Sequence, residues 1–175
     1  MNKIQIRPVA KEDFKQLYEV IEKNRERLTM YFPQTSKSII DLETAEKFTK
    51  QKLKQALKKE QFYFVVQKVK TSEIIGSVIL KNIEWSVPKG ELAYFIDGDH
   101  EGKGITSYAV KWLVNYSFEK LGMEKLYIKF SPENVGSKKV AIKNGFEQEG
   151  FFKREFRTGH GELKDVERYG LLRGE

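Results

Sequence analysis

Ile4, Ile6 and Val9 alternate with polar residues and predict a short first strand ending at Pro8. From Asp13 the period changes to helical, with Phe14, Leu17, Tyr18 and Ile21 on one face. The next stretch, Asn24 to Lys37, breaks that period and reads as an apolar loop carrying Leu28, Met30, Tyr31, Phe32 and Pro33, which either plugs the core or lines a groove. Ser38 and Asp41 form a capping signal, Asp41 itself being a second candidate cap, before a helix whose apolar face runs Leu42, Ala45, Phe48, Leu53, Ala56 and Leu57, as far as Lys59. Phe62 to Val69 and Ile74 to Trp85 then predict a hairpin turning at Lys70 to Glu73.

A turn at Ser86 to Gly90 delivers the chain into ELAYFIDGDHEGKGITSYAVKWLVNY, Glu91 to Tyr116, which reads as strand, glycine loop and helix. The helix stops at Gly122 and a strand follows over Leu126 to Phe130. Asn134 is a plausible N-cap for a helix whose Val135, Val140, Ala141 and Ile142 point to the core and which stops at Gly145. Two strands close the chain, about Phe146 to Arg157 and Lys164 to Leu172, joined by a TGHGE turn. Short turns make the middle strands antiparallel. The helix between the Leu92 and Leu126 strands favours a parallel pair there. The expected fold is α/β (α+β), a mixed sheet with helices on both faces.

The chain has 175 residues, 39% of them hydrophobic, enough for one domain over residues 1–175 with a proper core. It shows neither an apolar run near eighteen residues nor a basic-then-apolar leader, so a cytoplasmic protein without membrane contact is expected. The absence of Cys excludes disulfides, thiolate metal sites and a cysteine nucleophile. His100 and His160 lie in glycine-flanked turns and are too few for zinc, so no metal is expected. The net charge of +7 favours anionic partners without choosing among them, and no nucleic-acid module is present, so direct nucleic-acid binding is a minor reading.

The junction at Gly98 to Gly104 is where an anion would bind. Main-chain N–H groups of a glycine loop and a first helical turn converge there, and the helix dipole adds positive charge. A Walker A loop fails on spacing, with three residues between Gly98 and Gly102–Lys103 and Gly104 where a hydroxyl belongs. The dinucleotide GxGxxG fails because Ser107 holds the third glycine's place. A phosphate-bearing cofactor on Gly102 to Thr106 is the surviving hypothesis, beside a merely flexible turn.

Three segments resemble one family: ELAYFI with DHEGKGITSYAV, NVGSKKVAIKNGFEQEG, and RERLTMYFP. Over essentially the whole chain they are similar to the GCN5-related N-acetyltransferases (GNAT), within them the RimJ/RimL-type branch that acetylates ribosomal-protein N-termini. One departure is Asp99, where the family pattern has Gln or Arg. The resemblance implies the GNAT fold, a mostly antiparallel twisted sheet of about seven strands with a splayed parallel central pair. It also implies acetyl-coenzyme A (acetyl-CoA) as co-substrate, its diphosphate on the N–H groups of Gly102, Lys103, Gly104, Ile105 and Thr106. The backbone of Phe95 and Ile96 would hold the pantetheine arm and polarise the thioester. Asn134 would bond that arm, and Lys103, Lys138 or Lys139 would meet the outer phosphate. Glu155 falls at the branch's base position, with Glu84 and Glu91 as competitors. Ser137 is the residue to serve the departing thiolate, its alternative role being a helix cap. Leu28, Tyr31, Phe32, Trp85 and Tyr94 would line a groove for the amine acceptor.

The acceptor implied first is a ribosomal protein N-terminus, and the alternatives are a polyamine, an amino acid or an antibiotic. A non-catalytic acyl-CoA sensor and a basic ribosome-binding module are the competing classes. No stretch separates a dimer face from the core, so homodimerisation stays an open alternative.

Overall fold

A computed structural model describes residues 4–174. Strand β1 (Ile4–Pro8) leads through a short 3-10 turn into α1 (Phe14–Lys23), α2 (Arg25–Tyr31), α3 (Pro33–Ser38) and α4 (Leu42–Leu57). Strands β2 (Phe62–Lys68), β3 (Ile74–Glu84) and β4 (Lys89–Ile96) follow, then α5 (Ile105–Leu121), β5 (Lys125–Phe130), α6 (Val135–Lys143), β6 (Glu147–Arg157) and β7 (Leu163–Leu172). The seven strands form one sheet in the order β1-β2-β3-β4-β5-β7-β6. Every neighbouring pair is antiparallel except β4 with β5. This is the mixed sheet that the alternation and turn lengths predict.

Strand alternation divides the apolar residues between two layers. Leu92 and Ile96 of β4, with Leu126, Ile128 and Phe130 of β5, pack against Val110, Leu113 and Val114 of α5 and Ala141 of α6. Ala93 and Phe95 face the other way, sharing a layer with Tyr63, Val65 and Ile79 that is covered by Leu17 and Ile21 of α1 and Ala45 and Phe48 of α4. Each fully buried Leu, Ile or Phe contributes about 1.5–3 kcal/mol relative to exposure, and both layers share β4 as their common wall.

Several local expectations change. Asn24 to Lys37 is not a loop but two short helices, broken at Phe32 (φ −131°) with Pro33 opening α3. Seven and six residues are too few to display a helical period, which is why the pattern there looks irregular. Asp41 is the N-cap of α4, its carboxylate accepting the Thr44 N–H at 2.8 Å, whereas Ser38 ends α3. Leu57, Val135 and Ile142 are exposed rather than in the core, each lying at or next to the end of its helix.

The β6–β7 hairpin reaches back to the helices at its turn, where the Gly159 N–H donates to the Thr29 carbonyl of α2 at 2.9 Å. In β6 the segment between Phe152 and Phe156 bulges out of register with β7, and Arg154 adopts φ +52°.

Gly76 of β3 lies opposite Ile96, and a Cβ there would fall 2.4 Å from the Phe95 carbonyl oxygen and 3.0 Å from Ile96 Cα. Main-chain atoms cannot give way as a side chain does. Gly76→Ala is expected to destabilise the protein by about 1–3 kcal/mol, visible as a fall of several degrees in Tm; an unchanged thermal midpoint would contradict this close approach of β3 to β4.

Candidate active site

The parallel pair is short. β4 and β5 are in register only from Lys89 opposite Lys125 to Leu92 opposite Ile128, and beyond that point the strands diverge. On its other side β4 stays paired with β3 up to Ile96 opposite Gly76, and the Asp97 N–H donates to Ile75 O at 2.7 Å. That bond sets the phase of the ladder. Main-chain groups alternate direction along an antiparallel strand, so those of Ala93 and Phe95 point to β3 while those of Tyr94 and Ile96 point into the gap. The structure therefore puts Tyr94 where the sequence suggested Phe95. The Phe95 side chain is buried in the opposite layer, its ring 6.2 Å from that of Phe32. The Ile96 carbonyl accepts from the Arg27 guanidinium of α2.

Beyond β4 the chain makes a 3-10 turn, Gly98–His100, and reaches the glycine loop. Gly102 (φ +70°) and Gly104 (φ +75°) are both left-handed, a conformation that favours glycine, and Gly104 is the N-cap of α5 without a capping side chain. The N–H groups of Ile105, Thr106 and Ser107 precede the first intrahelical bond, from Tyr108 N–H to Gly104 O at 3.1 Å, and point out of the helix end. A Cβ at Gly102 or Gly104 would meet nothing within 4 Å, so the outer side of the loop is unobstructed. Lys103 folds back, its Nζ donating to Asp99 O at 2.7 Å. The Asp99 carboxylate is turned to Lys23 Nζ at 2.6 Å.

The far wall of the gap is the start of α6. Asn134 is its cap, with Oδ1 accepting the Ser137 N–H at 2.9 Å, so the Ser137 hydroxyl is not the capping group. The Tyr94 hydroxyl donates to the Ser137 carbonyl at 3.4 Å, bridging β4 to α6. Burial pushes the Tyr94 phenol up to about 12, with hydrogen bonding to Ser137 pulling the other way, and it stays a neutral donor. Lys138 pairs with the buried Glu167 at 3.2 Å, while Lys139 is exposed. Ser107 Oγ accepts from Asn144 Nδ2 at 3.1 Å and ties the loop helix to α6.

The three candidate carboxylates are not together. Glu84 pairs with Lys89 at 2.7 Å, at the hairpin end of β4, roughly 20 Å of strand away from Ile96. Glu91 is buried and held by Lys81 at 3.2 Å, Lys129 at 3.6 Å and Asn82 Nδ2 at 3.0 Å. Glu155 is exposed in the β6 bulge, with no ion-pair partner among the described residues.

Of the expected groove residues, Leu28 is 1% exposed and belongs to the core, and Trp85 lies with Glu84 at the wrong end of the strands, its indole N–H on Lys59 O at 3.0 Å. Tyr31 and Phe32 lie on the α2 side and Tyr94 in the gap.

A group the sequence did not single out joins the helices to the loop. Asn24 Nδ2 donates to Asp97 Oδ1 at 3.0 Å, and its Oδ1 accepts the Gly98 N–H at 3.1 Å. Lys23 Nζ and His100 Nδ1 reach Asp97 Oδ2 at 2.8 and 3.0 Å. Burial raises the Asp97 carboxyl, but donation from Lys23, Asn24 and His100 outweighs it and brings it down to about 2. The available signal was an aspartate ending an apolar strand beside a glycine loop; its partners Lys23 and Asn24 lie more than seventy residues away.

Residues 3–147 match the model of the acetyltransferase (GNAT) domain. The chain is 32% identical over 105 residues, 60% of its length, to the uncharacterized N-acetyltransferase p20 of Bacillus licheniformis, and spans somewhat over half (58%) of that protein. It is 28% identical over 153 residues to the ribosomal-protein-serine acetyltransferase of Escherichia coli (strain K12), covering 86% of this chain and 83% of that one. The spermidine N(1)-acetyltransferase of the same organism is 26% identical over 153 residues, with 87% and 77% covered. Among solved structures, the ribosomal-protein-S5-alanine acetyltransferase from Vibrio fischeri superposes with a TM-score of 0.92 at 25% identity, covering 99% of this chain and 94% of that one. The chain belongs to the GNAT acetyltransferase family.

Proposed function

We propose that this protein transfers the acetyl group of acetyl-CoA directly to a primary amine, and that the acceptor is the N-terminal α-amine of a protein, a ribosomal protein first. The observation that carries the proposal is the gap between β4 and β5, lined by main-chain groups of Tyr94 and Ile96 that no neighbouring strand pairs and ending on the open N–H groups of the glycine loop. The shape and the donor set fit an extended thioester with a diphosphate at one end.

In this reading the N–H groups of Gly102 to Thr106 hold the diphosphate and Lys139 meets the outer phosphate. The Asn134 side chain and the main chain of Ile96 bind the pantetheine arm. The Tyr94 N–H, at the point where the strands part, donates to the thioester oxygen as negative charge develops on it. The amine nitrogen bonds to the acetyl carbon, the carbon–sulfur bond breaks, and the sulfur leaves as thiolate. Ser137, at the start of α6 beside Tyr94, donates a hydrogen bond to that thiolate, which takes its proton from solvent through the hydroxyl. Glu155, through a water, takes the proton from the amine. Glu91 is committed to its lysines and Glu84 is remote.

Family membership supports acetyl transfer, and the similarity to the Escherichia coli ribosomal-protein-serine acetyltransferase supports the protein acceptor. Chemistry agrees. An α-amine with pKa near ~8 is about one-tenth free base at pH 7, whereas a lysine near ~10.4 is well under one-thousandth. A carboxylate is a sufficient base for the former.

Incubating the protein and acetyl-CoA with a mixed N-terminal peptide library, with spermidine as a separate arm, is expected to give free coenzyme A thiol and peptides heavier by one acetyl group on the α-amine by mass spectrometry. Acetylation of spermidine alone would move the acceptor to the polyamine class. Coenzyme A binding without thiol release in any arm would sink the enzyme reading.

Glu155→Gln should lower kcat by about a hundredfold at pH 7 and leave the acetyl-CoA KM within about twofold. The deficit should shrink as pH rises past the amine pKa, since deprotonated acceptor needs no base. A variant with wild-type kcat at pH 7 would remove Glu155 from the mechanism.

A further inference from the structure

The segment Asp97 to Glu101 places three carboxylates, Asp97, Asp99 and Glu101, directly before Gly102. Acids beside a phosphate seat oppose its charge. Each of the three is met by a cation from the α1–α2 corner. Lys23 Nζ lies 2.8 Å from Asp97 Oδ2 and 2.6 Å from Asp99 Oδ2, and the Arg27 guanidinium pairs with Glu101. The other groups facing these acids are His100 Nδ1, on Asp97, and Asn24 Nδ2, on the same carboxylate; Lys103 bonds the Asp99 main chain rather than its side chain.

The Lys23–Asp99 pair is exposed, with 51% and 74% of the two side chains accessible. Pairs of that kind contribute little to stability. What the contact does fix is where the Asp99 carboxylate points, toward the helix corner and away from the loop's N–H groups.

We propose that Lys23 is a positioning residue of the cofactor site: it screens Asp99 and Asp97 and holds the Asp99 carboxylate off the phosphate seat, so that a helix on the acceptor side sets affinity at the glycine loop. The inference rests on the reading of Gly102 to Thr106 as that seat. It also links the two halves of the site. Lys23 ends α1, Arg27 and Tyr31 belong to α2, and Asn24 between the helices bonds the Gly98 N–H, so a shift of α2 is carried into the loop.

The test is calorimetric titration with coenzyme A at low ionic strength, on wild type, Lys23→Ala, Asp99→Asn and the double variant. Lys23→Ala should weaken binding roughly five- to tenfold, because the freed carboxylate repels the phosphates. Asp99→Asn should bind within about twofold of wild type or more tightly, and the double variant should recover most of the loss, which a direct lysine–phosphate contact would not allow. Wild type and Asp99→Asn should share a thermal midpoint within about 2 °C, as expected for a surface pair, whereas the two proteins carrying Lys23→Ala also lose the cation on the buried Asp97 carboxylate and should melt several degrees lower, equally with or without Asp99→Asn. Unchanged affinity in Lys23→Ala, or a loss that Asp99→Asn does not relieve, overturns the inference and leaves the proposed function standing. A wild-type protein that takes up no coenzyme A overturns both.

Discussion

The structure depends on a strand pair that stops early. β4 and β5 share four residues of parallel ladder and then part, leaving main-chain donors and acceptors of Tyr94 and Ile96 without a neighbouring strand. A buried peptide group without a partner costs about 1–3 kcal/mol, so such an opening persists only where the surroundings hold it. Here β3 pins one edge of β4 as far as Asp97, and β7 pins the outer edge of β5 as far as Phe130 opposite Glu167. Between them α5 and α6 bury Val110, Leu113 and Ala141 against the diverging strands. The strands cannot close without emptying that layer.

Groups at the two ends of the gap take up part of its unsatisfied polarity. Arg27 occupies the Ile96 carbonyl from the helix side, and the Tyr94 hydroxyl crosses to the Ser137 carbonyl on α6. Helix polarity arranges the rest. Gly104 begins α5 without a side-chain cap, leaving its positive end open to an anion, whereas Asn134 caps α6 and keeps its first turn closed. Of two neighbouring helix N-termini, one is left uncapped and the other is closed by its own side chain.

Much of this was legible in the residues, and the exceptions have physical causes. The helix from Ile105 and the strands of the middle meander were readable because long periodic segments outweigh local noise; α2 and α3 were not, since six or seven residues hold fewer than two helical turns, too few for an apolar repeat to show. The glycine loop was readable because left-handed backbone favours glycine. Which backbone groups line the gap was hidden. Ladder phase is decided by pairing with β3, and a shift of one residue exchanges Phe95 for Tyr94. Trp85 and Leu28 looked like groove residues because aromatic and aliphatic side chains serve cores and grooves alike; only their position, at the far end of β4 and inside the α1–α4 layer, separates the two. The Asn24, Lys23 and Asp97 contacts span more than seventy residues of chain, beyond the reach of any spacing rule.

The most direct measurement is amide hydrogen exchange with and without coenzyme A, resolved to single residues by NMR. The N–H groups of Tyr94, Ile96 and Gly102 to Thr106 are expected to slow markedly together on binding, while the amides of Phe95 and Asp97, already bonded to β3, change little. Coenzyme A that binds without protecting Tyr94 and the loop, or that protects a different surface, would contradict the claim that the parting of β4 from β5 is where the thioester lies.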